Sequence, residues 1–109
     1  MDSEQFRLLV LRAIKKLPKI FRLKMENVEI VIEDEPVPQK TLLGLYQGVP
    51  LKLRGSWYGN VLPDKITLFQ RNIEWQCRNE AEIEDLVNEV LIHEIGHYFG
   101  FDEDELRDI

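Results

Sequence analysis

The chain has 109 residues, of which 44% are apolar and 31% charged, which fits one compact globular domain spanning residues 1–109. Twenty acidic residues face fourteen basic ones, for a formal charge of −6. That balance argues against a nucleic-acid partner held by phosphate contacts and against binding to anionic membrane surfaces. The single cysteine, Cys77, excludes an intramolecular disulfide and reads as a small apolar packing residue.

The N-terminus does not read as a signal peptide. Arg7 and Arg12 interrupt its apolar run, and acidic residues precede it. No stretch approaches the ~20 apolar residues of a membrane span. A cytoplasmic location is therefore expected. Ser3 can cap a first helix, in which Phe6, Leu9, Val10, Ala13, Ile14 and Leu17 recur at helical spacing and form one apolar face. Pro18 ends that helix or starts a short second turn through Phe21.

From Val28 the period changes. Val28, Ile30 and Ile32 alternate with Glu29, Val31 and Glu33, the pattern of a strand with one buried face. A loop containing Pro36 and Pro38 follows. The segment from Leu42 to Leu51 carries Gly44, Gly48 and Pro50, which suggests a short or irregular strand at a sheet edge. Arg54 to Pro63 is a turn-rich loop with Trp57 and Tyr58. Lys65 to Gln70 reads as another strand, with Ile66 and Leu68 on one face. Asn79 is a good N-cap for a last helix, and Glu82, three residues on, can complete a capping box. Ile83, Leu86, Val87, Val90 and Leu91 supply its buried face, and Gly100 lies where a glycine would stop it. The order of elements predicts an α+β domain.

The chemistry concentrates in His93-Glu94-Ile95-Gly96-His97, which contains both histidines of the chain. Residues i and i+4 lie one turn apart on the same helix face, so two imidazoles there can converge on one cation. Zinc favours such nitrogen ligands at ~2.0–2.1 Å. Glu94 is offset from His93 by about 100° on a 3.6-residue helix. It therefore sits beside the metal as a base rather than as a ligand. The bland alternative is a pair of exposed histidines near a helix C-terminus, where the dipole favours their protonated form. A catalytic zinc also needs a third protein ligand and an open position. Beyond the Gly100 turn stand Asp102, Glu103 and Asp104 as candidates.

The pattern HExxHxxGxx followed by a carboxylate resembles the zincin metallopeptidases whose third ligand follows a glycine turn. From about Phe6 to the end, the chain looks like the small bacterial family of minimal zincin-like metallopeptidases. The resemblance is carried by the stretches from Asn27 to Pro36, Leu42 to Pro50, Pro63 to Phe69 and His93 to Gly100. It implies a small mixed β-sheet packed against an N-terminal helix and a C-terminal active-site helix. It implies Zn2+ as cofactor, His93 and His97 as ligands and Glu94 as general base. In that pattern the third ligand is usually an aspartate three residues after the glycine. Here that position is Glu103, which leaves Asp104 and Asp102 open as substitutes. Many such enzymes place a methionine turn beneath the metal; with only Met1 and Met25 this chain has none, and Leu106 or Ile109 is the candidate floor. The resemblance also implies a peptide or protein substrate bound along an edge strand, for which Leu43 to Gln47 is the candidate. Equally, Leu43, Leu45 and Tyr46 can simply pack the core; Trp57, Tyr58 and Trp75 can line a cleft, though aromatic residues more often serve as core or partly buried packing.

The expected function is hydrolysis of peptide bonds by a zinc-dependent peptidase. The alternative is a non-catalytic metal-binding or interaction module on the same scaffold. A metal-dependent nuclease ranks last, because the chain lacks the third histidine that small endoribonucleases of similar size carry.

Overall fold

The computed structural model describes residues 1–25, 28–35, 41–48 and 64–99, the side chains of Lys24, Tyr98 and Phe99 excepted. The architecture is mixed α+β, with helix α1 (Ser3–Lys15), α2 (Lys19–Lys24), strands β1 (Val28–Glu33), β2 (Gly44–Gln47) and β3 (Asp64–Phe69), then α3 (Gln70–Trp75) and α4 (Glu80–Phe99). The Pro36–Pro38 loop, the Trp57 and Tyr58 segment, and Gly100 with everything after it lie outside the described residues.

The cap of α1 is Asp2 rather than Ser3. Its backbone stays extended, and its carboxylate accepts the Gln5 N–H at 2.7 Å while the Gln5 side chain accepts the Asp2 N–H at 3.0 Å. This reciprocal box satisfies two amides at the helix start and leaves Ser3 as the first helical residue. Phe6, Leu9, Val10 and Ala13 are buried, as their spacing predicts. Pro18 has no N–H to donate, so the chain breaks there and restarts as α2, with Phe21 turned into the core.

The sheet has the order β1-β3-β2. β1 runs parallel to β3, from Val28 opposite Asp64 to Glu33 opposite Phe69. β2 runs antiparallel to β3, with Gly44 opposite Leu68 and Gln47 opposite Lys65. Central β3 starts at Asp64 and is buried more completely than a one-faced strand: Thr67 and Phe69 are inaccessible along with Ile66 and Leu68. It ends at Phe69, and Gln70 opens α3 instead of closing the strand.

α4 begins where Asn79 directs it, with the Asn79 side chain accepting the Glu82 N–H at 2.9 Å. Glu82 reaches back one residue further than a standard box and accepts the Arg78 N–H at 2.9 Å. Ile83, Val87, Val90, Leu91 and Ile95 form the buried side of α4, and Leu86 sits at its margin. They meet the apolar face of α1, Ile66 and Leu68 of β3 and Ile73 of α3 in one core cluster, against which Cys77 packs. At the surface, Glu84 of α4 accepts hydrogen bonds from Arg12 Nε at 2.8 Å and from Lys16 Nζ. These two cations hold its carboxyl below the usual glutamate range. Trp75 closes α3 at 71% exposure and therefore does not pack the core. Among the described residues no helix is long and apolar enough to cross a membrane.

Candidate metal centre

His93, Glu94 and His97 lie on the last two turns of α4, all half-buried. The core-facing stripe of Val87, Val90, Leu91 and Ile95 fixes the rotation of the helix. That rotation leaves the two histidines and the glutamate at the rim of the core, beside β2. The His93 and His97 rings are 5.2 Å apart between centroids and meet edge to face at 78°. One ligand atom from each of the three residues can be chosen so that all lie within 4.8 Å of one another.

That separation suits a shared cation. Two nitrogens bound at ~2.0–2.1 Å in a tetrahedral shell sit about 3.4 Å apart, a small rotamer adjustment from the observed spacing. Two imidazoles in one turn, with a carboxylate alongside, are a donor set of the right chemistry for a borderline divalent metal. Glu103, Asp102 and Asp104, the candidates for a third ligand, lie outside the described residues, as do Leu106 and Ile109.

Glu94 is held from the sheet. Its Oε1 accepts the backbone N–H of Tyr46 at 2.7 Å, a bond that ties α4 to β2 across 48 residues of sequence. The register explains why that N–H is available. Leu43 C=O accepts from Phe69 N–H, so Leu43 and, by alternation, Leu45 and Gln47 turn their backbone groups toward β3. Gly44 and Tyr46 turn theirs to the outer edge, which α4 overlies. Gly44 permits the approach: a Cβ there would stand 2.6 Å from Val90 Cγ1 and 3.4 Å from Glu94 Cγ. A shallow cleft of about 330 Å³ runs between this strand and the helix, lined by Leu43, Gly44, Val90, His93 and Glu94.

Tyr46 is itself anchored. Its hydroxyl donates to Asp64 Oδ2 at 2.8 Å, and Asp64 is only 2% exposed. Gly48, at φ 155°, leaves room for this carboxylate: a Cβ there would come within 2.3 Å of Asp64 Oδ1. The sequence pointed to the histidine pair and Glu94, which the structure brings together; it offered Gly44 and Tyr46 only as part of a candidate substrate strand, not as what holds Glu94, and Asp64 was not read as part of the site. The glycines were the available signal, since a glycine inside a strand marks a close backbone approach as well as a sheet edge. Leu43 and Tyr46 pack against the core, and Leu43 also lines the cleft.

The model of a family described as zincin-like metallopeptidase matches residues 25–109. No curated protein matches the chain. With more than half its length covered by that model, the chain belongs to the zincin-like metallopeptidase family.

Proposed function

We propose that this zincin-like chain is a zinc-dependent peptidase, with His93 and His97 as metal ligands, Glu103 as the third ligand and Glu94 as the general base. The observation that carries this reading is the placement of Glu94. Metal binding alone does not require a glutamate between the histidines, yet this one is oriented toward them by a backbone hydrogen bond from Tyr46. Zinc, when bound, supplies Lewis acidity that lowers the pKa of a water to about 7 and polarises a carbonyl.

The chain's own residues supply the rest. Glu94, held at Oε1 by the Tyr46 N–H, takes a proton from the attacking water on its carboxylate. Glu94 then carries that proton and delivers it to the leaving amine. Because Tyr46 N–H fixes one carboxylate oxygen, the carboxylate need not reorient between the two transfers. The peptide lies along the outer edge of β2, with side chains in the cleft beside Leu43 and Val90.

Replacing Glu94 by Gln tests the assignment. Glu94→Gln keeps the Tyr46 hydrogen bond and the metal but removes the base, so hydrolysis of a peptide library should fall by about 10²–10⁴-fold with metal content unchanged. Equal cleavage by wild type and variant would leave only the metal-binding module.

A further inference from the structure

Asp64 is a buried carboxyl group that takes no direct part in the proposed hydrolysis. It opens β3, is 2% exposed, and accepts the Tyr46 hydroxyl on Oδ2 at 2.8 Å. Burying a carboxyl group costs free energy that an aliphatic residue in its place would not. The backbone also makes way for it. Continuing the β2–β3 register past Gln47 and Lys65 brings Gly48 opposite Asp64, and Gly48 has φ 155°, a conformation that L side chains rarely adopt. A Cβ there would stand 2.3 Å from Asp64 Oδ1 and 3.0 Å from the Tyr46 hydroxyl.

Its partner is the residue that holds Glu94. Tyr46 stands opposite Ile66, so its side chain shares a sheet face with Asp64, two residues away on β3, at the diagonal reach of a cross-strand pair. The same tyrosine donates its backbone N–H to Glu94 Oε1 at 2.7 Å. That N–H points away from β3 and takes no part in the ladder, which runs through Leu45 and Gln47. Strand β2 is four residues long and, among the described residues, is paired on one side only. A strand so held can roll about its ladder bonds, and rolling swings the Tyr46 N–H away from Glu94. The tyrosine ring, tethered at its far end by Asp64, resists that roll.

We infer that Asp64 is a positioning residue for Glu94, acting through Tyr46. The carboxyl group fixes the ring, the ring fixes β2, and the outward N–H of β2 fixes Glu94 Oε1 near the histidines. What this does for hydrolysis rests on the reading of Glu94 as general base; the positioning itself does not. The tether matters for a base because a displacement of about 1 Å costs rate out of proportion to its size. Its requirement is an oxygen that accepts from the hydroxyl, so asparagine at position 64 can serve where alanine cannot.

Amide hydrogen exchange of the full chain, followed residue by residue by NMR, tests the linkage without a substrate. The residue 46 amide should be protected in the wild type, and Glu94→Ala should remove that protection. Tyr46→Phe and Asp64→Ala should each speed its exchange by about tenfold, whereas Asp64→Asn should leave it near the wild-type rate. The Leu45 amide, bonded to β3 in the same strand, should be unchanged in all of these variants. In peptide hydrolysis, Tyr46→Phe should lower kcat by about tenfold, part of the ~10²–10⁴ that a base supplies, with KM and zinc content unchanged. In a Glu94→Gln background the same change should lower kcat no further. Unchanged exchange at residue 46 in Tyr46→Phe, equal acceleration at Leu45, loss of protection in Asp64→Asn, or an undiminished effect in Glu94→Gln would overturn the inference. A wild-type chain that shows this exchange pattern but hydrolyses nothing would contradict the peptidase reading while supporting the positioning.

Discussion

Gly44 sets how closely α4 approaches the sheet, and so where Glu94 sits. A methyl group there would enter the space of Val90 Cγ1, at 2.6 Å, and touch Glu94 Cγ. Gly44→Ala should therefore destabilise the protein by about 1–3 kcal/mol through overpacking. Val90→Ala alone should also destabilise it, by opening a cavity. In the double variant the new methyl occupies the space that Val90 vacates, so the combined loss in urea denaturation should be smaller than the sum of the two. Strict additivity would mean that this contact is not why the position is glycine. The same scale shows what was legible in the chain. His93, Glu94 and His97 could be read directly because helical spacing is a local property that turns sequence distance into geometry. The bond from Tyr46 N–H to Glu94 could not, since a backbone donor 48 residues away has no side-chain signature. Asp64 was hidden for the opposite reason: an aspartate at the start of a strand reads as a turn residue, yet here it is buried and accepts from a tyrosine.

Among the elements, α1, β1 and α4 were readable from periodicity because each has one apolar face and clear end signals. α3 was not. It is a six-residue helix that follows β3 without a loop and has no side-chain cap bond, so neither period nor punctuation announces it. β3 was found but underestimated, because Thr67 looks like a solvent-facing residue and is buried only through the central place of the strand. α1 and α2 raise a separate point. They precede the region matched by the family model, but they are no appendage. Phe6, Leu9, Val10, Ala13, Leu17 and Phe21 make up six of the fourteen buried residues in the core cluster. Deleting residues 1–24 should leave Val87, Leu91 and their neighbours exposed, and cost far more than the ~5–15 kcal/mol by which domains of this kind are stable. The truncated chain should show no cooperative urea transition. A cooperative transition with wild-type midpoint would show that these helices are dispensable to the core.

For the molecule as a whole, one apolar cluster joins helices and sheet, and the two sheet edges among the described residues border different surfaces. The edge at β2 meets α4, where a glycine, a backbone N–H and a half-buried tyrosine bonded to a buried aspartate hold Glu94 near two histidines. The edge at β1 meets α1 across a groove with an aliphatic floor. The reading as a peptidase depends first on whether the histidine pair holds zinc. Elemental analysis of the full chain, purified without chelator and supplied with zinc, measures this directly. About one zinc per chain is expected, since the described residues hold one such cluster, with His93→Ala and His97→Ala each losing it. Absence of zinc from the wild type, or its full retention in both variants, would contradict the account.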